Sequence, residues 1–555
     1  MGNESRGHRL QAFRSLAANR ALLRVLQAYV LFILTEYSVW IAMLVFAYDH
    51  GGAAIAGLVA VAQLVPAAVV APLVAPLADR RSPVVLLAGG YLVQAAAMAA
   101  MAAAIIARAP LAAYAGAVVA ATAVTTTRPA QSSLIPSVAA TPDQLTAANV
   151  LAGWLEAVGI AASGLLAGVL ISLAGVGSVF AVCACLGIVA ALLVAGLKVA
   201  ALTPAGQPEL SALAGAREGL RLAARQPRIR LMLVLLTADA VVVGALELLV
   251  VILAISVLGR PQAWAGYLSF AFGAGAVLAA TGSALLVGRR LGGPILAAAL
   301  MFSGTLAALA SGPGLAGTVV LLMAAGASRS LLEVAVRILL QRSVPPQLVG
   351  RVFGVLEGLM MAGYAVGALL VPLLVHLGGS RLALLGVAAV LPLAAAVGGR
   401  AVFRLDAETP VPVVEIALLR ALPLFAELPA PAIEGLAAAL APVHLPAGAV
   451  LIRQGDPGDA YYAIAAGELD ALQDGHLLRR CGRGDGVGEI ALLRAIPRTA
   501  TVIAHSAVTV YELKRDLFLT AVLGHAPTRR QADRIADARL ATGAAPGIPE
   551  AGPAE

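Results

Sequence analysis

Nine ionisable side chains stand in surroundings that oppose charge. Glu36, Arg128, Glu156, Asp239, Glu247, Arg329, Glu333, Arg337 and Glu357 each interrupt a stretch made mainly of Ala, Gly, Leu and Val. At the centre of a bilayer such a group costs about 2.5–3.5 kcal/mol even on a lenient scale, so these residues are expected to face a cavity and to find partners. Arg329, Glu333 and Arg337 are four apart, which puts them on one helix face as an ion-paired ladder. A buried carboxyl short of counter-charge is the kind of group that binds and releases a proton as its surroundings change, and Glu36 and Asp239 are the leading candidates for that role. Arg128 precedes Pro129, which removes a backbone donor and tends to kink a helix. Its guanidinium can meet an anionic substrate group or pair with Glu156, and pairing is the preferred reading. The plainer alternative for all of these is a set of structural ion pairs or snorkelling side chains, which best suits Arg337 and Glu357 beside a loop.

A second constellation lies far downstream. Gly488-Glu489-Ile490-Ala491-Leu492-Leu493 is followed by Pro497-Arg498-Thr499-Ala500-Thr501-Val502. A short helix starting near Gly488 aims free backbone N–H groups at an anion, with Arg498 as the counter-charge. Upstream, Gly455-Asp456-Pro457-Gly458-Asp459 through Gly467-Glu468 supplies the residues of tight turns between strands.

The elements that must hold these groups are of two kinds. Of 555 residues 60% are hydrophobic and 12% charged, against roughly a quarter charged in a soluble domain. Up to Arg400 the chain is a succession of apolar stretches, whereas Asp406 to Glu555 has the charge density of a soluble protein. A helix needs about 20 residues to cross hydrocarbon. Twelve windows meet that need, near 25–48, 54–77, 83–107, 110–133, 148–172, 175–197, 231–257, 264–287, 294–311, 315–340, 352–376 and 380–399. Abundant Gly and Ala permit close helix contact. The net charge of +8 comes from arginines in the gaps between windows, which explains it by topology and argues against nucleic acid as a partner. With the first residue inside, Arg80, Arg81, Arg217, Arg221, Arg225, Arg289, Arg290, Arg351 and Arg400 fall on one side, and only Arg108, Arg260 and Arg381 on the other. Both termini are then expected in the cytoplasm and the bundle in the plasma membrane. The polar, basic start lacks the apolar core of a signal peptide. Cys183, Cys185 and Cys481 suggest no disulfide framework.

The bundle is duplicated. Pro142, Gln144 and Leu145 recur as Pro345, Gln347 and Leu348 after a shift of 203, and the same shift carries Glu36 onto Asp239. Two six-helix halves at 1–200 and 201–404, with a basic connector at 200–229, form the layout of a carrier rocking about a midplane site. Residues 10–402 resemble the major facilitator superfamily, especially its proton-coupled drug and siderophore exporters and related lysolipid carriers. The loop after the second window reads Ala75-Pro76-Leu77-Ala78-Asp79-Arg80-Arg81-Ser82. The resemblance assigns Asp79, Arg80 and Arg81 to a gating loop, although Ala75 and Ser82 stand where that superfamily has glycines. Its second-half counterpart, Gly288-Arg289-Arg290-Leu291-Gly292, departs further.

In the soluble part, 405–420 reads as a linker with Pro410 and Pro412, and 415–441 as helical. Short alternating runs follow at 449–453, 461–465, 469–472, 476–481, 500–504 and 508–513, the pattern of a small β-roll. Helices are expected at 515–523 and 528–541, and a disordered tail at 542–555. With the two motifs above, residues 421–541 resemble the cyclic-nucleotide-binding domain of kinases, channels and bacterial regulators. That likeness implies a pocket of Gly488, Glu489, Ile490, Ala491, Arg498, Thr499 and Ala500, in which Arg498 pairs with the cyclic phosphate and Glu489 accepts the ribose 2′-hydroxyl. Val487 stands where the family usually has an aromatic residue. Thr499 can hydrogen-bond a guanine amino group, yet members with threonine there also prefer cAMP, so the ligand is cAMP or cGMP with cAMP favoured. The final helix is expected to cap the purine, by a side chain the sequence does not single out; a plain solvated helix is the alternative.

The fold expected is therefore an all-α membrane bundle of twelve helices with a C-terminal cytoplasmic β-roll. Its function is expected to be secondary transport, with proton-coupled export of an amphipathic or lipid-like molecule, adjusted by cyclic nucleotide. The alternative is a membrane-anchored nucleotide sensor without transport. Partners are the lipid bilayer, a small-molecule substrate and the nucleotide, with a second copy of the chain admitted as a homodimer. No P-loop, G-x-S-x-G elbow or metal-ligand cluster points to an enzyme or a metal.

Overall fold

The structure, a computed structural model, describes residues 16, 18–80, 82–139, 142–197, 221, 225–282, 291–344, 348–408, 413–426, 428, 430–523 and 526–543. Two compact units divide near residue 410. Most of the connector 200–229, Arg81, Arg289, Arg290, Pro345, Gln347 and the tail from 544 lie outside the described residues, as do the side chains of Asp79 and Arg80.

The first unit is helical throughout. Its helices are α1 Arg20–Arg80, α2 Pro83–Ile106, α3 Pro110–Val138, α4 Pro142–Ala174, α5 Val176–Val194, α6 Pro227–Ile252, α7 Ala263–Gly282, α8 Gly292–Leu309, α9 Gly314–Ser343 and α10 Val349–Glu408. In an apolar solvent every backbone N–H and C=O must be satisfied within the segment, and these Ala/Leu/Val runs do so as helices. Proline opens α2, α3, α4 and α6, at the turn whose N–H groups have no helical acceptor. Among the described residues ten helices are long and apolar enough to cross a membrane, and two of those stretches run to 47 and 46 residues. A straight helix of 47 residues is about 70 Å long, more than twice the thickness of the hydrocarbon. Neither is straight. Gly51 and Gly52 break α1, Gly378 and Gly379 break α10, and Gly52 and Gly379 take positive φ values of 62° and 73° that favour glycine. Both breaks fall in gaps between the sequence windows.

Helix contacts are close because small residues line them. A Cβ on Gly275 would strike the Met323 carbonyl, and one on Gly326 the Phe272 carbonyl, so α7 and α9 touch backbone to backbone. Gly164 of α4 likewise meets the backbone of Gly266 and Phe270 of α7, and Gly168 abuts the Tyr267 ring.

The second unit begins with helices α11 Val413–Ala421 and α12 Ala430–Ala439. Eight strands follow: β1 Ala441–Leu445, β2 Val450–Ile452, β3 Ala460–Ala466, β4 Leu469–Gln473, β5 His476–Cys481, β6 Gly486–Val487, β7 Thr501–Ala504 and β8 Val508–Lys514. They form two four-stranded antiparallel sheets, ordered β1-β8-β3-β6 and β2-β7-β4-β5. Helix α13 Glu489–Arg494 sits between β6 and β7, and α14 Arg515–Leu523 and α15 Ala526–Gly543 close the unit. Ile464, Leu469, Val502 and Val510 fill the space between the sheets. Phe425, Tyr461 and Phe518 pack ring against ring, with centroids 5.0–6.2 Å apart, and fix the helices to the outside of β3.

The expected single helix over 415–441 is instead two, separated by a turn at Leu422–Ala426, and residue 441 opens a strand. Pairing of Val443 with Val510 and Leu445 with Val508 overrides the local pattern there. The two-residue β6, paired through Tyr462 and Ala463, is too short to announce itself in the sequence.

Candidate functional sites

In the helical unit the charges gather around two arginines, Arg128 of α3 and Arg329 of α9. Arg128 of α3 donates both ways to Glu36 of α1, at 2.9 and 3.1 Å, and lies 3.5 Å from Glu156 of α4. It also rides 5.7 Å from the centroid of the Phe32 ring. The expected Glu156 pairing is therefore the longer of two, and both oxygens of the Glu36 carboxylate accept from Arg128 Nη2. A second cluster repeats the motif. Arg329 of α9 lies 3.5 Å from Asp239 of α6 and 3.1 Å from Glu333 one turn on. Glu333 in turn meets Arg337 at 3.1 Å, which reaches Glu357 of α10 at 3.4 Å. The ladder of residues four apart is thus formed, and Asp239 is fully buried. Arg128 and Glu156 keep 41% and 36% of their side-chain surface exposed. A guanidinium this exposed is not sealed inside the helix packing, so the cluster is reachable from its surface.

Glu247 of α6 stands apart from both clusters. Its carboxylate accepts from the Trp40 indole N–H of α1 at 2.8 Å.

In the second unit a cavity of about 390 Å³ opens between the β2-β7-β4-β5 sheet, α13 and α15. Gly488, Glu489, Ile490, Ala491, Arg498, Thr499 and Ala500, the seven residues singled out in the sequence, all line it. Gly488 has φ +96°, and a Cβ there would press on the Arg498 guanidinium and the Ala460 carbonyl, so glycine is required for the approach. Arg498 is 5% exposed and fully supported: it donates to the Gly488 carbonyl at 3.0 Å, the Ala460 carbonyl at 2.8 Å and Asp459 at 2.9 Å. That support fixes a cation at the cavity wall beside the start of α13, an arrangement fit for a phosphate. Glu489, 2% exposed, has one carboxylate oxygen with no hydrogen-bond partner among the described residues. Burial pushes the Cys481 thiol up, against the pull of the adjacent Arg479, so this wall residue stays a neutral thiol.

Sequence reasoning left the capping side chain open, and the structure places Arg539 and Leu540 of α15 on the cavity wall. Arg539 pairs with Glu489 and donates to the Gly486 carbonyl at 2.8 Å. Two and six residues earlier on the same helix, Asp537 and Asp533 hold Arg494 of α13 at 2.5 and 3.2 Å. Two oppositely directed links thus join α15 to α13. The signal available in sequence was the charge pattern of α15, which by itself reads as a solvated face.

Comparison with known proteins follows the same division. Residues 442–525 match the family described as Cyclic nucleotide-binding domain, and residues 25–311, more than half of the chain, match Major Facilitator Superfamily. cAMP-dependent protein kinase regulatory subunits of Aspergillus niger and Emericella nidulans are each 40% identical over 104 residues, which is 18% of this chain and 25% of theirs. The chain thus spans about a quarter of the length of these curated relatives. A co-crystal structure of the regulatory domain of Toxoplasma gondii PKA with cAMP is 27% identical, covering 25% of this chain and 56% of that one at a TM-score of 0.23.

Because Arg539 neutralises an otherwise buried carboxylate, Arg539→Ala is expected to loosen α15 in the absence of ligand. Amide hydrogen exchange over 526–543 should quicken about tenfold or more. Unchanged exchange would mean that the pair does not hold the helix.

Proposed function

We propose that this chain, which belongs to the major facilitator superfamily and carries a cyclic nucleotide-binding domain, is a proton-coupled exporter of an amphipathic molecule whose activity a cyclic nucleotide adjusts. The observation that carries the transport reading is the part-exposed Arg128 clamped by Glu36 and Glu156, with a matching Arg329 cluster in the other half. Ion pairs of this kind give a substrate or a proton something to compete for, since either can replace one partner of the guanidinium. Twelve crossings follow when α1 and α10 are each divided at their glycine pairs, and both termini then lie on the arginine-rich, cytoplasmic side of the plasma membrane. Halves at 1–200 and 201–404, a linker at 405–420 and a nucleotide domain at 421–541 complete the plan.

Glu36 and Asp239 are assigned the proton, as symmetry-related carboxylates beside the two arginines. Asp79, Arg80 and Arg81 are assigned to the gate by their place between the second and third spans. For the nucleotide, Arg498 takes the cyclic phosphate and the unpartnered oxygen of Glu489 the ribose hydroxyl. The relatives described as cAMP-dependent favour cAMP. Bound nucleotide acts on transport by its differential affinity for two conformations of its own domain.

Calorimetric titration of the purified full chain with cAMP should give saturable heat. Arg498→Ala should weaken binding about a hundredfold, and Arg498→Lys, which retains a charge without the planar fork, by less. No heat with cAMP or cGMP at millimolar concentration would overturn the regulatory half. For transport, proton flux into proteoliposomes should fall at least tenfold in Glu36→Gln or Asp239→Asn. Full flux in both variants would remove these carboxyls from the coupling path.

A further inference from the structure

The helical unit contains a polar contact, between Trp40 and Glu247, that its internal symmetry does not predict. The shift of 203 that carries Glu36 onto Asp239 carries Leu44 onto Glu247 and Trp40 onto Val243. Leu44 and Val243 are both buried and apolar. The Trp40–Glu247 hydrogen bond therefore has no twin. Unlike the two arginine clusters, each of which lies within its own half, it crosses from α1 of the first half to α6 of the second.

Its position along the bundle is defined by the turns. Trp40 precedes the break at Gly51 by eleven residues, and Glu247 precedes the end of its span at Leu258 by eleven. Both thus lie about 16 Å from the same end, at 1.5 Å per residue. Further toward that end, the Tyr48 hydroxyl and the Ser256 hydroxyl share a hydrogen bond at 2.6 Å, and the Tyr267 hydroxyl of α7 donates to Ser172 of α4 at 3.3 Å. Gly57, just past the α1 break, abuts Ala368 and Pro372 just before the α10 break. These contacts all join one half to the other near the end bearing the Gly51–Gly52 and Gly378–Gly379 turns, so the halves are closed upon each other there. Opening that end requires all of them to part. Small residues separate at little cost, but an indole N–H parted from a carboxylate must be rehydrated with it.

We propose that Trp40 and Glu247 form a latch that holds the bundle closed at this end. When ionised, the Glu247 carboxylate makes the hydrogen bond charge-assisted, hence stronger than a neutral pair, and the tie joins the first helix of each half. Among the described groups, Arg329 of α9 and Tyr364 of α10 act on Glu247 electrostatically, without a hydrogen bond or ion pair to it. Glu247 therefore acts as a gating residue, separate from the substrate-facing Arg128 cluster. The inference rests on reading the helices as two halves of a carrier.

The test is a distance measurement between the halves. Spin labels go on Ala107→Cys and Leu377→Cys, exposed positions at the closed end of the two halves, in a full chain whose Cys183, Cys185 and Cys481 are replaced by alanine. Double electron–electron resonance in nanodiscs, without substrate or nucleotide, then reports the open population. Trp40→Phe keeps the ring and removes the donor, and Glu247→Leu removes the acceptor. Each should raise the open-to-closed ratio about tenfold, and the double variant should do no more than either alone. Glu247→Gln, which keeps an acceptor without charge, should fall between wild type and Glu247→Leu. An unchanged distance distribution in Trp40→Phe and Glu247→Gln, or shifts that simply add, would overturn the latch. Since no flux or ligand enters the readout, that result is independent of the tests of the transport reading.

Discussion

A charge taken out of water must be given an opposite charge, and that requirement organises the membrane unit. Its helices are nearly uniform in composition, so packing alone would leave their rotation about their axes loosely specified. The arginines on α3 and α9 specify it. Arg128 draws α1 and α4 to one face of α3, and Arg329 draws α6 to the equivalent face of α9, giving each half the same internal frame. Glycines then allow the frames to approach, as where α4 meets α7 through Gly164, Gly168 and Gly266.

The same electrostatic rule shapes the soluble unit, with a different result. Arg498 is buried because three acceptors surround it: the Gly488 carbonyl on the cavity wall, and Asp459 and the Ala460 carbonyl at the start of β3. The cation is therefore positioned before any ligand arrives, which lowers the ordering cost of binding an anion. Glu489 is satisfied on one oxygen by Arg539, whereas the other is buried without a hydrogen-bond partner among the described residues.

Much of this was legible in the sequence. Hydropathy located the helices because the apolar windows are interrupted by Pro, Gly and Arg, and even the breaks at Gly51 and Gly378 lie between windows. The nucleotide pocket was legible because its residues are contiguous, in two runs joined by a short loop. Partner choice was harder. Arg128 lies closer in sequence to Glu156 than to Glu36, yet Glu36 takes the closer contact, a matter of helix rotation that spacing does not encode. Trp40 and Glu247 are more than two hundred residues apart and break the repeat that guided the reading. Arg539 was hidden among the many charges of α15, and β1 behind a helix-like run that only its pairing with β8 corrects.

If the proposed carrier and nucleotide pocket are coupled, the nucleotide must change the flux, which is the most direct test. Proton flux driven by a pH gradient is measured in proteoliposomes bearing the full chain, with and without saturating cAMP inside and out. The predicted result is a severalfold change with cAMP in the wild-type chain and none in Arg498→Ala, while basal flux is alike in the two. Equal flux with and without cAMP in a chain that binds the nucleotide would contradict it.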